Sequence, residues 1–153
     1  MNAAPFAPAA RWCWHALTPS GTSGFFLFRR EFRLDAPARL VLRVSADNRY
    51  NFYVDGQLLG RGPARGDLAH YRYETYEVAL GPGAHALAAE VLVWSLPFNR
   101  EAGPWSEIHT GGGFLCEVAG APEELSTPAG WLGAIDPSRR HAEWDGAVVP
   151  APP

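Results

Sequence analysis

Lysine is missing from the 153 residues, so all 13 basic side chains other than histidine are arginine. Arginine suits bidentate and stacked contacts, although GC-rich codon usage gives the same lysine-free, alanine- and proline-rich composition. With 16 acidic residues the formal net charge is -3 and the pI near 5.9, without the basic excess that marks a nucleic-acid binder. Long apolar runs are missing too, and none approaches the roughly 20 residues that cross a bilayer. The opening stretch MNAAPFAPAARW has neither the basic n-region nor the apolar h-region of a secretory signal. A cytoplasmic location is expected, with no membrane and no nucleic acid as partner.

Cysteine is scarce as well. Cys13 and Cys116 are the two present, and two thiols without neighbouring ligand spacing do not make a zinc site. Cys116 lies in the apolar run Phe114-Leu115-Cys116 and reads as a buried free thiol, a disulfide to Cys13 being the less favoured alternative. The histidines (His15, His70, His85, His109, His141) are scattered without metal spacing. Gly-x-Ser-x-Gly is absent, and no lysine-bearing helix follows the glycines of Thr110 to Gly113. Asp47, Asp67, Glu74, Glu101 and Glu107 show no spacing that predicts a paired acid and base. No catalytic residue is expected.

Aromatic residues and turns are plentiful: six Trp, five Tyr and eight Phe suit a β core and carbohydrate contacts equally. The length fits one domain. Phe25 to Leu34 alternates, placing Phe26, Phe28, Phe32 and Leu34 on one face together with Arg30. A buried Arg there needs an acidic partner, for which Glu90 is the candidate, unless the strand reaches a rim. Leu40, Leu42, Val44 and Ala46 form the next inward face. Tyr71 to Leu80 reads as a strand, and Ala84 to Trp94 as a central strand buried on both sides. Phe114 to Val118 is another, and a last one falls near Trp131-Leu132. Residues 95–113 form a loop too long for a simple connector.

The most informative stretch is Ser45 to Asp67, SADNRYNFYVDGQLLGRGPARGD. Tyr50, Phe52 and Val54 alternate with Asn51 and Tyr53, the period of a half-buried strand. Asp55-Gly56 is a strong two-residue hairpin signal, because both central residues of a type I′ turn need positive φ. The return strand carries Leu58 and Leu59 and is expected to stop at Gly60-Arg61-Gly62-Pro63. About eight short strands between Gly/Pro turns predict an all-β jelly-roll β-sandwich. Residues 1–10 are read as a flexible segment, 11–135 as the sandwich and 136–153 as a tail or linker.

That hairpin gathers polar groups at the end away from its turn: Asp47 and Asn48 entering, Arg61, Arg65 and Asp67 leaving. Such a rim is a candidate ligand site, the alternative being a solvated loop cluster. Sugars take planar polar groups on their hydroxyls and aromatic faces under their C–H faces. Asp47, Asn48, Arg61 and Arg65 supply the first kind; Tyr71, Tyr73, Trp94 and Trp105 supply the second, with core packing the competing role for Trp94. Asp47 and Asn48 also offer oxygens to calcium, or turn-forming bonds to their own backbone.

Taken in order, several segments resemble the amino-terminal β-sandwich of bacterial α-L-rhamnosidases over roughly residues 11–132. They are Arg11-Trp12-Cys13-Trp14-His15, Phe28-Arg29-Arg30-Glu31-Phe32, Ser45 to Asp67, YRYETYEV, and the strand ending Val93-Trp94. The resemblance implies a galactose-binding-like jelly roll acting as a non-catalytic carbohydrate-binding accessory domain, with L-rhamnose or a related sugar as ligand. In binding members a paired Asp-Asn contacts the sugar near calcium, which matches Asp47 and Asn48, and the Gly-Arg-Gly-Pro turn matches Gly60 to Pro63. The family's catalytic carboxylates lie in a helical barrel that follows. The expectation is therefore an accessory domain or fragment without hydrolase activity, whose partner is the catalytic domain of a larger hydrolase. The alternative is a purely structural domain that packs on that catalytic portion, binds no sugar, and exposes an apolar patch around Phe98 and Trp105.

Overall fold

Period-two alternation builds eight strands: β1 (Gly24–Leu34), β2 (Ala38–Asp47), β3 (Arg49–Val54), β4 (Gln57–Gly62), β5 (Glu74–Leu80), β6 (Gly83–Val93), β7 (Gly113–Ala119) and β8 (Leu132–Ile135). The computed structural model describes residues 6–7, 9–19, 22–64, 66, 72–93 and 112–139. Two antiparallel sheets result, ordered β4-β3-β6-β1-β8 and β5-β2-β7. The pairings β1–β8, β2–β7 and β3–β6 nest one inside another, as in a jelly-roll sandwich, while β4 stays with its hairpin partner β3.

The inward faces are those the alternation predicts: Phe26, Phe28, Phe32 and Leu34 of β1, Leu40 to Ala46 at even positions of β2, and Tyr50, Phe52 and Val54 of β3 are all buried. Phe114 of β7 locks the sheets together. Its ring lies 5.2 Å from Phe28 and 6.3 Å from Phe52 across the core, and 5.2 Å from Trp131.

The Asp55-Gly56 turn forms with φ of 51° and 77°, as the dipeptide requires. β4 extends further than expected, pairing with β3 through Gly62. The reason is packing: a Cβ at Gly60 would lie 2.5 Å from the Tyr76 ring, and one at Gly62 2.7 Å from the Tyr50 hydroxyl. These glycines admit two tyrosines rather than ending the strand, and the alternation sends Arg61 to the opposite face.

Two expectations need correction. β6 is buried on one face only, through Leu87, Ala89, Val91 and Val93; Ala84 is exposed, and Ala86, Ala88, Glu90 and Leu92 are half-buried on the outer face. Alanines made that outer face look like core. Arg30 does not meet Glu90, because their side chains leave opposite faces of the sheet. Arg30 instead lies 3.7 Å from Glu123 and donates to the Glu31 and Glu124 carbonyls. Cys13 and Cys116 are both free; burial pushes the Cys13 thiol up to about 12 and raises Cys116 as well, so both stay protonated.

The flanks pack onto the sandwich. Phe6 meets Tyr73 edge-on at 4.9 Å. Arg11 is tied to Thr127 by N–H to carbonyl (2.8 Å) and by the Thr127 hydroxyl to the Arg11 carbonyl (2.8 Å). Asp136, at the start of the segment read as a tail, is buried and donates its N–H to the Phe25 carbonyl at 2.8 Å. Trp94, Phe98 and Trp144 lie outside the described residues.

A histidine clamp joins two hairpin turns. His85 Nδ1 lies 2.8 Å from Asp55 Oδ2, and Nε2 lies 2.9 Å from the Gly81 carbonyl. Only the imidazolium donates at both nitrogens. The bond to Asp55, then that to Gly81, raise the His85 pKa above its ordinary value against a smaller opposing effect of burial. Burial pushes the Asp55 carboxyl up, but bonds from His85 and the Ala86 N–H outweigh it and hold it low. The His85 contribution is therefore complete below the unfolded value of about 6.5 and lost as pH climbs through the raised value. That of Asp55 is present above about 3.9 and lost as pH falls through the lowered one. Urea midpoints of the protein and a His85→Gln variant should differ most at about pH 5 to 6, below the unfolded value, and converge as pH climbs through the raised one. A gap that widens with pH would contradict the clamp.

Candidate functional site

The outer face of the five-stranded sheet carries a cleft of about 470 Å³, built by register. Asn51 of β3 sits opposite Arg61 of β4 on one side and Glu90 of β6 on the other. Phe25 of β1 sits opposite Leu92 of β6, which in turn faces Arg49 of β3. Phe25, Leu92 and Pro63 give an apolar floor; Arg49, Asn51, Arg61, Glu74, Glu90 and Arg139 bring the polar groups.

The polar groups form a continuous chain. Arg61 Nε donates to Asn51 Oδ1 (3.0 Å), and Asn51 Nδ2 donates to Glu90 Oε2 (2.9 Å). Glu90 also accepts from the Tyr53 hydroxyl (3.0 Å) and from both Nη atoms of Arg139 (3.3 and 3.0 Å). Arg139 reaches the cleft because Asp136 turns the chain, accepting from the Ser138 N–H (2.9 Å) and hydroxyl (2.6 Å). The Arg139 guanidinium then lies 5.4 Å from the Phe25 ring centroid, a cation–π contact. Burial alone would raise the Glu90 pKa, but the bonds from Asn51, Tyr53 and Arg139 and the Arg139 charge hold it below the usual value. Glu90 is thus an anion at neutral pH. Across the cleft Glu74 accepts the Ala64 N–H (3.0 Å), and Arg49 donates to the Pro63 carbonyl (2.9 Å). Fixed donors and acceptors over an apolar floor are what a polyhydroxylated ligand needs.

Of the residues singled out from the sequence, Arg61 lines this cleft. Asp47 and Asn48 sit instead at the corner where the chain leaves β2 in one sheet and enters β3 in the other. They are 0% and 6% exposed. Asp47 Oδ2 accepts the Gly112 N–H at 3.1 Å, and the Asn48 N–H donates to the Leu92 carbonyl at 3.0 Å. Arg65, Tyr71 and Trp105 lie outside the described residues. Among the described residues no three His, Cys, Asp or Glu side chains converge as metal ligands. Calcium takes six to eight oxygens, so an ion at Asp47 would draw its other ligands from amides, carbonyls and water. Sequence reasoning missed Arg49, Asn51, Glu90 and Arg139 as site residues; the outward parity of Asn51 and Tyr53 on β3 was the available signal.

No protein-family model matches the sequence, and no curated protein does. Solved structures do match. The GH78 family rhamnosidase of Bacillus sp. GL1 is similar at 25% identity and a TM-score of 0.69, over 86% of this chain and 14% of that one. The chain has the fold of a rhamnosidase β-sandwich domain. The α-L-rhamnosidase of Streptomyces avermitilis, solved with L-rhamnose, is similar to this rhamnosidase-like domain at 21% identity and a TM-score of 0.57, over 92% of this chain and 13% of that one. A lectin of Pleurotus ostreatus shares the fold at 19% identity and a TM-score of 0.58, over 86% of this chain and 37% of that one. The rhamnosidase-like domain thus spans about a seventh of the rhamnosidase chains it matches.

Proposed function

We propose that the chain is a non-catalytic carbohydrate-binding accessory domain of an α-L-rhamnosidase-like glycoside hydrolase, with L-rhamnose or a related sugar held in the cleft. The observation that carries this reading is the Arg61–Asn51–Glu90–Arg139 chain, which fixes hydroxyl-binding groups above the Phe25 and Leu92 floor. Similarity to rhamnosidases and to a lectin supports it. The proposal also includes a calcium ion on the oxygens of Asp47 and Asn48 at the β2–β3 corner, and sugar contacts from Arg65, Tyr71 and Trp105. The catalytic portion of the parent hydrolase is the proposed protein partner.

Calorimetric titration with L-rhamnose, once with calcium and once with chelator, tests the proposal. Heat that chelation abolishes would support the ion at Asp47; heat that survives would place binding in the cleft without it. Silence with rhamnose, galactose and glucose alike would overturn the proposal. A structural domain packed on its catalytic partner would then be the better reading. One observation favours that second reading: Leu132 of edge strand β8 is 74% exposed on the same outer face as exposed Leu27 of β1, as an interdomain contact surface would be.

A further inference from the structure

We infer that the cleft selects an acidic sugar, a hexuronate whose carboxylate sits on the two Nη atoms of Arg61. The inference rests on the carbohydrate reading of the same cleft. Three guanidiniums, of Arg49, Arg61 and Arg139, meet two carboxylates, of Glu74 and Glu90, in the lining. The lining itself holds one more cation than anion, which Asp136 behind Arg139 offsets. Its charges are not equally available. Arg139 is spent on Glu90 through two hydrogen bonds and on Asp136 at 3.5 Å. Arg61 differs: its Nε is held by Asn51 Oδ1, and among the described residues its Nη1 and Nη2 carry no bond.

That geometry is a prepared receptor. Asn51 cannot swing freely, because its amide nitrogen is bonded to Glu90, so the Arg61 plane is set before a ligand arrives. A guanidinium edge presents two parallel N–H groups that match the two oxygens of a carboxylate, whereas a lone hydroxyl meets one of them. The glycines on either side of Arg61 keep β4 pressed against Tyr76 and Tyr50, which leaves the Arg61 side chain turned to the cleft. A pyranose ring attached to that carboxylate would lay a C–H face over Leu92, beside the Arg139 guanidinium that covers Phe25. Glu74, on the wall at Ala64, repels a carboxylate placed beside it and directs the acid group toward Arg61.

The test compares D-glucuronate, D-galacturonate, D-glucuronamide, acetate and L-rhamnose by calorimetry on the whole chain. One uronate should bind about tenfold or more tighter than glucuronamide, its uncharged near-isostere, as expected for a hydrogen-bonded charge. Arg61→Gln should erase that preference without lowering the melting temperature, since Arg61 is exposed. Equal affinity for uronates and amide would overturn the inference while the carbohydrate reading stands. Acetate as tight as either uronate would mean an anion site only and would also overturn it. Silence from every sugar would overturn both.

Discussion

Replacing Phe114 by alanine is expected to destabilise the domain by about 3–5 kcal/mol, a large share of the roughly 5–15 kcal/mol that holds a domain together. Phe114 is fully buried and stands where the sheets meet, touching Phe28 and Phe52 of one sheet from β7 of the other. Truncation loses the transfer free energy of the ring and leaves a cavity that strands on either side cannot close, because each is fixed in its ladder. Urea denaturation followed by tryptophan fluorescence reads this as a large fall in midpoint at unchanged slope. Phe114→Leu should recover much of the loss. A shift below about 1 kcal/mol for the alanine variant would show that Phe114 does not lock the sheets.

Glu90→Gln is expected to weaken sugar binding by about tenfold or more while changing the melting temperature little. Glu90 is the node of the cleft: its two oxygens accept from Asn51, Tyr53 and Arg139. Glutamine offers one acceptor oxygen and turns an NH2 toward a donor, so at least one partner is released. Losing the Asn51 bond frees the amide that positions Arg61; losing the Arg139 bonds opens the wall over Phe25. The outer-face location keeps the core intact. Calorimetry with the best-bound sugar, beside thermal melts, checks both halves. Full affinity in the variant would mean that the Glu90 network does not shape the site.

The faces of individual strands were legible because burial in a two-layer sandwich follows a period of two, and Gly, Pro and Asp-Gly mark the turns. Asp55-Gly56 and the inward sets of β1, β2 and β3 follow directly. What single strands do not encode is who lies beside whom. Asn51 and Glu90 are far apart in sequence, and only the β3–β6 register makes them neighbours. The same gap produced the Arg30–Glu90 pairing, which parity forbids once the two strands are aligned through Arg30 opposite Leu87. Asp47 and Asn48 looked like an open rim because two polar residues end an apolar strand. They are instead packed where the backbone crosses between layers, a position that depends on the sheet assignment of β2 and β3. Arg139 was hidden because nothing periodic surrounds it, and only the Asp136 turn carries it back to Phe25.

The nesting of β1 with β8 also bears on how the chain reaches this state. Phe26 must find Ile135 across nearly the whole described length, and β2 must find β7 across most of it. Closing such wide loops costs entropy before the contacts repay it. All-β domains dominated by non-local pairs accordingly fold in milliseconds to seconds, well behind helical bundles of like size. Until residues 132–135 arrive, β1 has an unpaired edge that can recruit a stray strand. The fold that presents a preset cleft in its final form is therefore, during assembly, a slow collector of distant segments with a temporarily open flank.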